Sequence, residues 1–294
     1  MINLKYNVSL AKYTTYKIGG TSDFFFKPQN VFHLKQAVSW SKQQKIPYFI
    51  LGFGSNILIN DEGFRGIAIR LAGDFKKLIF NERDSVITSG AAVSLIKLAK
   101  ECSKRGIGGF EGISDIPGSV GASVRINAGT KEGEIKDYFL SADVLDEEVN
   151  LRTIYFNEMN FGQRTSMLVG KKMIVLQASF AYGEHNRPET LIERLKKHRD
   201  ERKRKQPVNK KNCGSVFKSP NERPAGWYID QCGLKGKRIG DAMIAHEHAN
   251  WIVNQGTASA SDVKKLIEKV QFDVFNRFGI QLEREVIYVP EDIL

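Results

Sequence analysis

Gly52-Phe53-Gly54-Ser55-Asn56 is a glycine-rich loop that follows a short apolar run at residues 47–51. Ile57-Leu58-Ile59 comes directly after the loop. A dinucleotide-binding fingerprint of the G-x-G-x-x-G type needs a third glycine and a helix at this point. Here Ile57 stands where the third glycine belongs, and the residues that follow are typical of a strand. The sequence therefore argues against a Rossmann-type fold and for a different combination of helices and strands.

A strand–helix–strand unit surrounds this loop. Residues 31–44 carry apolar side chains at helical spacing, and residues 47–51 and 66–71 are typical of buried strands. The last helix has Ser259 or Ser261 as its N-cap and Gly279 as its stop signal. The same alternation continues along the chain, and we predict these further elements: strands at 85–88, 139–145, 173–182 and 281–289, and helices at 94–105, 188–205 and 261–278.

Three loops in the first half of the chain carry small residues that allow main-chain amides to face an anion. They lie at residues 14–20, 52–56 and 116–123. Consecutive N–H groups in such turns bind phosphate without a side-chain charge. Any one of the loops is more typical of a plain turn, but three of them favour a bound dinucleotide. The chain has no G-x-x-x-x-G-K-[ST] motif, which excludes a P-loop.

Asn212-Cys213-Gly214-Ser215-Val216-Phe217-Lys218 places a hydroxyl and an ammonium group beside a glycine. Glycine tolerates unusual backbone angles and lets a ligand approach the main chain closely. Ser215 could donate a proton or attack a substrate, and Lys218 could hold an anion. These residues alone fit a catalytic turn and a hairpin turn with a solvated lysine equally well.

Glu285 lies on the predicted last strand, opposite its apolar neighbours, and so faces either solvent or a site.

Composition leaves two classes of protein open. The chain has 294 residues, enough for two or three modest domains, and its hydrophobic content of 41% and charged content of 26% are those of a soluble globular protein. The net charge of +11 favours anionic ligands, from nucleotides to nucleic acids. Part of that charge is one run at residues 198–205, so a nucleic-acid-binding protein is an alternative. Aromatic residues do not interleave with this run, and no nucleic-acid-binding motif accompanies it.

The cysteines and the N-terminus indicate a cytoplasmic protein. An odd number of cysteines without C-x-x-C spacing predicts neither a disulfide framework nor a zinc site; they are Cys102, Cys213 and Cys232. Reduced thiols are typical of the cytoplasm. Residues 1–10 lack the apolar region of a signal peptide, and no apolar run reaches transmembrane length. His246-Glu247-His248 offers two metal ligands without a third cluster, so we expect no metal site.

Short motifs along residues 13–286 resemble, in order and spacing, the UDP-N-acetylenolpyruvoylglucosamine reductases (UDP-N-acetylmuramate dehydrogenases). The match is to the shorter type of this peptidoglycan-synthesis family. Each motif is weak by itself, and their combination is specific. The motifs are Tyr13-Thr14-Thr15, Ile18-Gly19-Gly20, Leu51-Gly52-Phe53-Gly54-Ser55-Asn56, Ile116-Pro117-Gly118-Ser119-Val120-Gly121, Asn127-Ala128-Gly129, Phe161-Gly162-Gln163-Arg164-Thr165-Ser166, Cys213-Gly214-Ser215-Val216-Phe217-Lys218, Gly233-Leu234-Lys235-Gly236, His248-Ala249-Asn250-Trp251-Ile252-Val253-Asn254 and Leu282-Glu283-Arg284-Glu285-Val286.

The resemblance implies an α+β chain with a two-subdomain FAD-binding fold of the vanillyl-alcohol-oxidase type, followed by an α/β substrate domain. The expected domains are 1–72, 73–206 and 207–294, with the last strand returning toward the active site. The implied reaction is the NADPH-dependent, FAD-mediated reduction of UDP-N-acetylglucosamine enolpyruvate to UDP-N-acetylmuramate. NADPH would reduce the flavin and leave before the substrate enters the same cleft. The expected partner is the UDP-sugar substrate, with no nucleic acid, no membrane insertion and a monomeric state.

Matched positions carry the family's roles. Ser215 resembles the general acid that protonates the substrate carbon, and Arg164 and Glu285 resemble the pair that stabilises the enol or enolate. Lys218 is expected to contact substrate phosphate or carboxylate. FAD contacts are expected mostly from the main chain of two loops, at Gly52, Phe53, Gly54, Ser55, Asn56, Ile116, Pro117, Gly118, Ser119, Gly121 and Ser123.

The chain departs from the family pattern in three places. Gln163 replaces the tyrosine that commonly precedes the catalytic arginine, and Ala122-Ser123 replaces a common Gly-Ala. Thr130-Lys131-Glu132 stands where Ala-Tyr-Gly is usual. The catalytic trio is intact, so we expect activity with adjusted flavin contacts and substrate positioning. An FAD-binding relative with an altered substrate is the remaining alternative.

Overall fold

The computed structural model describes residues 3–220 and 222–293. Its helices are α1 (Val31–Gln44), α2 (Leu95–Lys104), α3 (Val120–Arg125), α4 (Pro188–Lys205), α5 (Ala225–Gln231) and α6 (Ala260–Phe278). Its strands are β1 (Lys5–Ser9), β2 (Thr21–Phe26), β3 (Tyr48–Ile50), β4 (Ile57–Ile59), β5 (Phe64–Ile69), β6 (Leu78–Asn81), β7 (Val86–Gly90), β8 (Gly129–Thr130), β9 (Gly133–Glu134), β10 (Phe139–Leu145), β11 (Leu151–Tyr155), β12 (Ile174–Ala181), β13 (Arg238–Ile239), β14 (Ala242–Ile244), β15 (Ile252–Asn254) and β16 (Ile287–Val289).

The chain forms two compact units, each built from separate segments. Unit 1 contains Phe26–Gly52 and Ile69–Arg199, together with the described residues before Lys5. Unit 2 contains Lys5–Phe25, Phe53–Ala68 and the described residues from Asp200 onward. The three domain boundaries expected from the sequence stay a prediction.

Unit 1 is built on a five-stranded antiparallel sheet with the strand order β11-β10-β12-β7-β6. In β12, Ala178 and Phe180 are buried and alternate with the more exposed Gln177 and Ser179, as expected of a strand with one covered face. Helix α3 packs against β12. The sheet and its helix thereby fix the position of the third glycine-rich loop, which ends in α3.

Helix α2 begins as its sequence predicts. The Ser94 hydroxyl accepts a hydrogen bond from the amide of Lys97 at 3.0 Å, which satisfies one of the free amides of the first turn. Leu95, Leu98 and Cys102 lie on its buried face. The opposite face carries Glu101, which makes contacts of 2.8 Å with both Lys104 and Arg105.

These two contacts predict a pH-dependent contribution to stability. The hydrogen bond from Lys104, followed by that from Arg105, lowers the pKa of Glu101 from 4.5 to about 2. The stabilisation is therefore complete above pH 4.5 and is lost as the pH falls toward 2. Partly exposed pairs of this kind contribute about 0.2–1 kcal/mol. Glu101→Gln should lower the free energy of unfolding by that amount at pH 7, measured by urea denaturation.

The difference between Glu101→Gln and the parent chain should shrink as the pH is lowered through this window. Glu148→Gln, at an exposed position with the same charge change, is the matched control and should show no such trend. A Glu101→Gln difference that is constant between pH 7 and pH 3 would contradict the assigned ion pairs.

Unit 2 is organised around α6. Val263, Leu266, Ile267, Val270 and Val274 form its buried stripe, and the helix packs against β13, β14 and α5. The Ser259 hydroxyl accepts from the amide of Asp262 at 3.0 Å, and Gly279 ends the helix with φ of 69°. The N-cap is therefore Ser259.

Three further sets of paired strands lie in unit 2. Strands β13, β14 and β15 pair antiparallel, β1 pairs antiparallel with β2, and β16 pairs parallel with β4. The last pairing matters for the site, because it joins the strand after the second glycine loop to the end of the segment that carries Glu285. Among the described residues, no helix combines the length and the apolar character needed to cross a membrane.

Most predicted elements are confirmed, and one is wrong in extent. The helices predicted at 31–44, 94–105, 188–205 and 261–278 are present within one residue at each end, whereas α3 and α5 were not predicted. The strand predicted at 281–289 begins only at Ile287. The reason is local: the amides of Glu285 and Val286 both point to the carbonyl of Val216, at 2.8 and 3.4 Å, which interrupts a regular ladder.

Candidate active site

The first and second glycine-rich loops are held together within unit 2. The amide and the hydroxyl of Thr15 both donate to the carbonyl of Gly54, at 3.0 and 3.1 Å. Gly54 has φ of 65°, and a Cβ at this position would lie 2.3 Å from the carbonyl oxygen of Tyr13. Only glycine satisfies both the backbone angle and this close approach. The loop geometry is therefore fixed by residues that lie some forty positions apart in the sequence.

The second loop has the features of an anion-binding turn. None of the amides of residues 52–56 donates to an acceptor in the part of the chain that the structure describes. Consecutive amides without an internal acceptor attract phosphate oxygens. A dinucleotide with a pyrophosphate group, as FAD has, therefore fits this loop.

The third loop is arranged differently, within unit 1. Its amides already donate to carbonyls in the protein at five positions: Ile116 to Ile113, Gly118 to Ile116, Val120 to Val93, Gly121 to Ala91 and Ser123 to Ser119. A Cβ on Gly52 would lie 3.0 Å from the hydroxyl oxygen of Ser119, so these two residues are close neighbours. Contacts of this loop with a cofactor would come from carbonyls, hydroxyls and the small size of its residues more than from a row of amides.

The Ser215 turn lies in unit 2 and is fixed by buried amide side chains. Gly214 has φ of 84°, and its amide donates to the side-chain oxygen of Asn212 at 2.9 Å. The side chain of Asn250 both accepts from the amide of Phe217, at 3.0 Å, and donates to its carbonyl, at 2.8 Å. Ser215 is half-buried, and its hydroxyl makes no hydrogen bond within residues 3–220 and 222–293. The turn is thus rigid while its hydroxyl is available to a ligand.

Glu285 lies next to this turn. Its amide donates to the carbonyl of Val216 at 2.8 Å, and its carbonyl accepts from the side chain of Asn56 at 3.2 Å. The amide of Ile287 in turn donates to the carbonyl of Asn56 at 3.1 Å. Unit 2 therefore brings together three predicted site residues that are distant in sequence: Asn56, Ser215 and Glu285.

Arg164 lies in unit 1, in a tight turn between Gly162 and Thr165. Its φ is 55°, a region that glycine or asparagine usually occupies at this point of a turn. Its guanidinium donates to the carbonyl of Gly129 at 2.6 Å and to that of Asn127 at 3.4 Å, and lies 3.5 Å from the carboxylate of Glu134. Backbone strain at a polar residue is typical of functional sites.

Comparisons with known proteins identify the family. A family model for the FAD binding domain matches residues 22–154, and one for the C-terminal domain of UDP-N-acetylenolpyruvoylglucosamine reductase matches residues 206–289. The reductase of Trichormus variabilis is 37% identical over 288 residues, 98% of this chain and 87% of that protein. The chain belongs to the UDP-N-acetylenolpyruvoylglucosamine reductase family.

Two further relatives agree with this assignment. The reductase of Prochlorococcus marinus is 35% identical over 97% of both chains. The crystal structure of the UDP-N-acetylenolpyruvylglucosamine reductase of Thermus caldophilus matches with a TM-score of 0.86 and 34% identity, over 99% of this chain and 100% of that one. The predicted α+β class, with an FAD-binding fold of the vanillyl-alcohol-oxidase type and a C-terminal domain, is confirmed.

In this member of the reductase family, the surroundings of two other polar side chains near the Ser215 turn limit what they can do chemically. The ammonium group of Lys218 contacts the carboxylate of Glu283, and the Lys218 side chain is 37% exposed. Burial raises the pKa of the Cys213 thiol to about 12, and the negative charge of Glu285 contributes. Since the thiolate is the reactive form of cysteine, Cys213 is unsuited to be a nucleophile.

Sequence reasoning assigned no role to Asn250, although it lies within one of the family motifs. It is 5% exposed and makes the two hydrogen bonds that clamp Phe217. The available signal was a polar residue inside the otherwise apolar run at residues 249–253. Among the described residues, no group of three or more His, Cys, Asp or Glu side chains is placed to hold a metal ion.

Proposed function

We propose that this chain reduces UDP-N-acetylglucosamine enolpyruvate to UDP-N-acetylmuramate, with Ser215, Arg164 and Glu285 as its catalytic residues. The chain is an FAD-containing, NADPH-dependent oxidoreductase of peptidoglycan precursor synthesis, as its family membership establishes. The observation that carries the assignment of residues is the hydrogen-bonded pairing of the Ser215 turn with the Glu285 segment.

Ser215 would supply the proton. Bound FAD, held by the loop at residues 52–56, would supply hydride for one carbon of the enolpyruvyl double bond, with NADPH as the source of the two electrons. The hydroxyl of Ser215 then donates its proton to the other carbon, which completes the saturated lactyl ether. An unperturbed serine is a weak acid, so this step requires neighbouring groups that stabilise the charge of the transition state.

Arg164 and Glu285 would stabilise the enol or enolate that develops on the substrate carboxylate. The planar guanidinium of Arg164 suits a carboxylate because it can donate two parallel hydrogen bonds. Glu285 assists when it is protonated and donates a hydrogen bond, since a carboxylate would repel the developing charge. Its half-buried position beside the Ser215 turn is compatible with that role.

The loop geometry supports the following assignment of residues to the cofactor and the substrate. Residues 52–56 would bind the pyrophosphate of FAD through their amides, and Ile116, Pro117, Gly118, Ser119, Gly121 and Ser123 would pack against the cofactor. Lys218 would contact a phosphate or carboxylate of the substrate by exchanging Glu283 for it. Residues 1–72, 73–206 and 207–294 remain the proposed domains.

We further propose a monomer in the cytoplasm that neither binds nucleic acid nor inserts into a membrane. The ion pairs of the basic helix α4 support the absence of nucleic-acid binding. Arg194 lies 3.5 Å from Glu111, and Arg199 lies 3.5 Å from Asp115, so part of its charge pairs within unit 1. These pairs stabilise the segment that leads into the third loop.

The visible spectrum of the purified protein tests the proposed activity. The protein should be yellow, and NADPH should bleach it in the absence of oxygen. The UDP-linked enolpyruvyl substrate, but not simple enol ethers, should then restore the colour. A colourless protein that cannot be reconstituted with FAD would contradict the assignment. Reduction by NADPH without reoxidation by the substrate would favour a relative with an altered substrate.

A further inference from the structure

We propose that Asn127 and Glu134 are positioning residues that hold the guanidinium of Arg164 in place before the substrate binds. Both lie in unit 1, outside the residues to which the family resemblance assigns a role. The inference rests on the proposed role of Arg164 and adds the groups that orient it.

Asn127 is the centre of this arrangement. Its side chain is fully buried and uses both of its polar atoms. The amide nitrogen donates to the carboxylate of Glu134 and to the carbonyl of Gly162, each at 3.0 Å, and the oxygen accepts from the amide of Lys136 at 3.1 Å. A fully satisfied buried polar network is rigid. The bond to Gly162 ties this network to the start of the turn that carries Arg164.

The guanidinium is held on three sides by the same segment. The carbonyls of Asn127 and Gly129 accept from its two terminal nitrogens, and the Glu134 carboxylate lies 3.5 Å from one of them. Lys136 is a second cation on Glu134, at 3.0 Å. Because Asn127 fixes one carboxylate oxygen, the other is directed to Arg164. The orientation of a long, flexible side chain is thereby set before a substrate arrives, which favours the transition state.

The backbone supports a functional origin for this arrangement. Asn127 and Arg164 both have positive φ angles, 46° and 55°. Asparagine tolerates this region, whereas arginine is strained in it. The strain at Arg164 is maintained by the surrounding contacts, which include the bonds to the carbonyls of Gly129 and Asn127 and the ion pair with Glu134.

Glu134→Gln tests the proposal, since it retains the shape of the side chain and removes its charge. With the FAD-loaded enzyme, the rate of flavin reoxidation by the enolpyruvyl substrate should fall on the order of 10-fold to 10²-fold. The rate of flavin reduction by NADPH should be unchanged. The loss should appear in kcat more than in KM, because Arg164 acts on charge that develops in the transition state. Glu148→Gln, with the same charge change at an exposed position of unit 1, should leave both rates unchanged.

A double-mutant cycle separates positioning from a general structural effect. In an Arg164→Ala background, Glu134→Gln should have no further effect on reoxidation, because the group that it orients is gone. A reoxidation rate unchanged in Glu134→Gln, or an equal loss in both backgrounds, would overturn the proposal. Failure of the parent enzyme to be reoxidised by the substrate would instead contradict the proposed function, so the two failures are distinguishable.

Discussion

Ser215→Ala should leave the reduction of FAD by NADPH unchanged and should slow the formation of the lactyl ether on the order of 10²–10⁴-fold. Reduction of the flavin needs no proton from Ser215, whereas saturation of the substrate double bond does. The hydroxyl makes no hydrogen bond to the described part of the chain, so its removal leaves no protein group without a partner. The loss should therefore be chemical and not structural. Anaerobic stopped-flow absorbance separates the two half-reactions.

Ser219→Ala is the matched control for this experiment. Ser219 is exposed and lies four residues after Ser215 on the same segment, so its removal should affect neither half-reaction. An equal loss of both half-reactions in Ser215→Ala would remove Ser215 from the role of proton donor. Turnover that is unaffected in both half-reactions would do the same.

The regular elements could be predicted because their signals are local. Helix α6 has a capping serine, an apolar stripe and a terminal glycine within one stretch, and each was confirmed. Helix α3 was missed because its six residues include a glycine and lie in a passage that is typical of turns. The helix packs on β12, and a contact between segments that are distant in sequence leaves no local pattern from which to predict it.

The sequence identified candidate site residues, but it could not show how they are arranged in space. The glycine loops, Ser215 and Glu285 were identified from the sequence. The hydrogen bonds that join the Ser215 turn to the Glu285 segment connect residues about seventy positions apart, and only the folded chain shows them. The same holds for the third loop, whose amides were expected to face a phosphate and donate at five positions to carbonyls in unit 1. Spacing in a sequence does not reveal which amides the tertiary fold uses.

Gly54→Ala should lower the free energy of unfolding by about 2–4 kcal/mol and abolish retention of FAD. A methyl group at this position would lie 2.3 Å from the carbonyl oxygen of Tyr13 and 2.7 Å from the Cα of Thr14. Both neighbours are backbone atoms and cannot move without displacing the first loop. The φ of 65° adds the strain of a left-handed conformation. Because Thr15 binds the carbonyl of Gly54, the displacement would also change the direction of the amides at residues 52–56.

Gly170→Ala separates the two causes. Gly170 is exposed and has φ of 79°, and a Cβ there would have no neighbour within 4 Å. In this variant the free energy of unfolding should fall only by the cost of the left-handed backbone conformation, about 1 kcal/mol. The protein should keep its flavin. Urea denaturation at one fixed concentration of FAD gives both stabilities, and the visible absorbance after gel filtration gives the retained cofactor. If Gly54→Ala costs no more than Gly170→Ala, the close approach of the two loops is not what requires glycine. If Gly54→Ala is unstable but remains yellow, the second loop does not hold the cofactor through its amides.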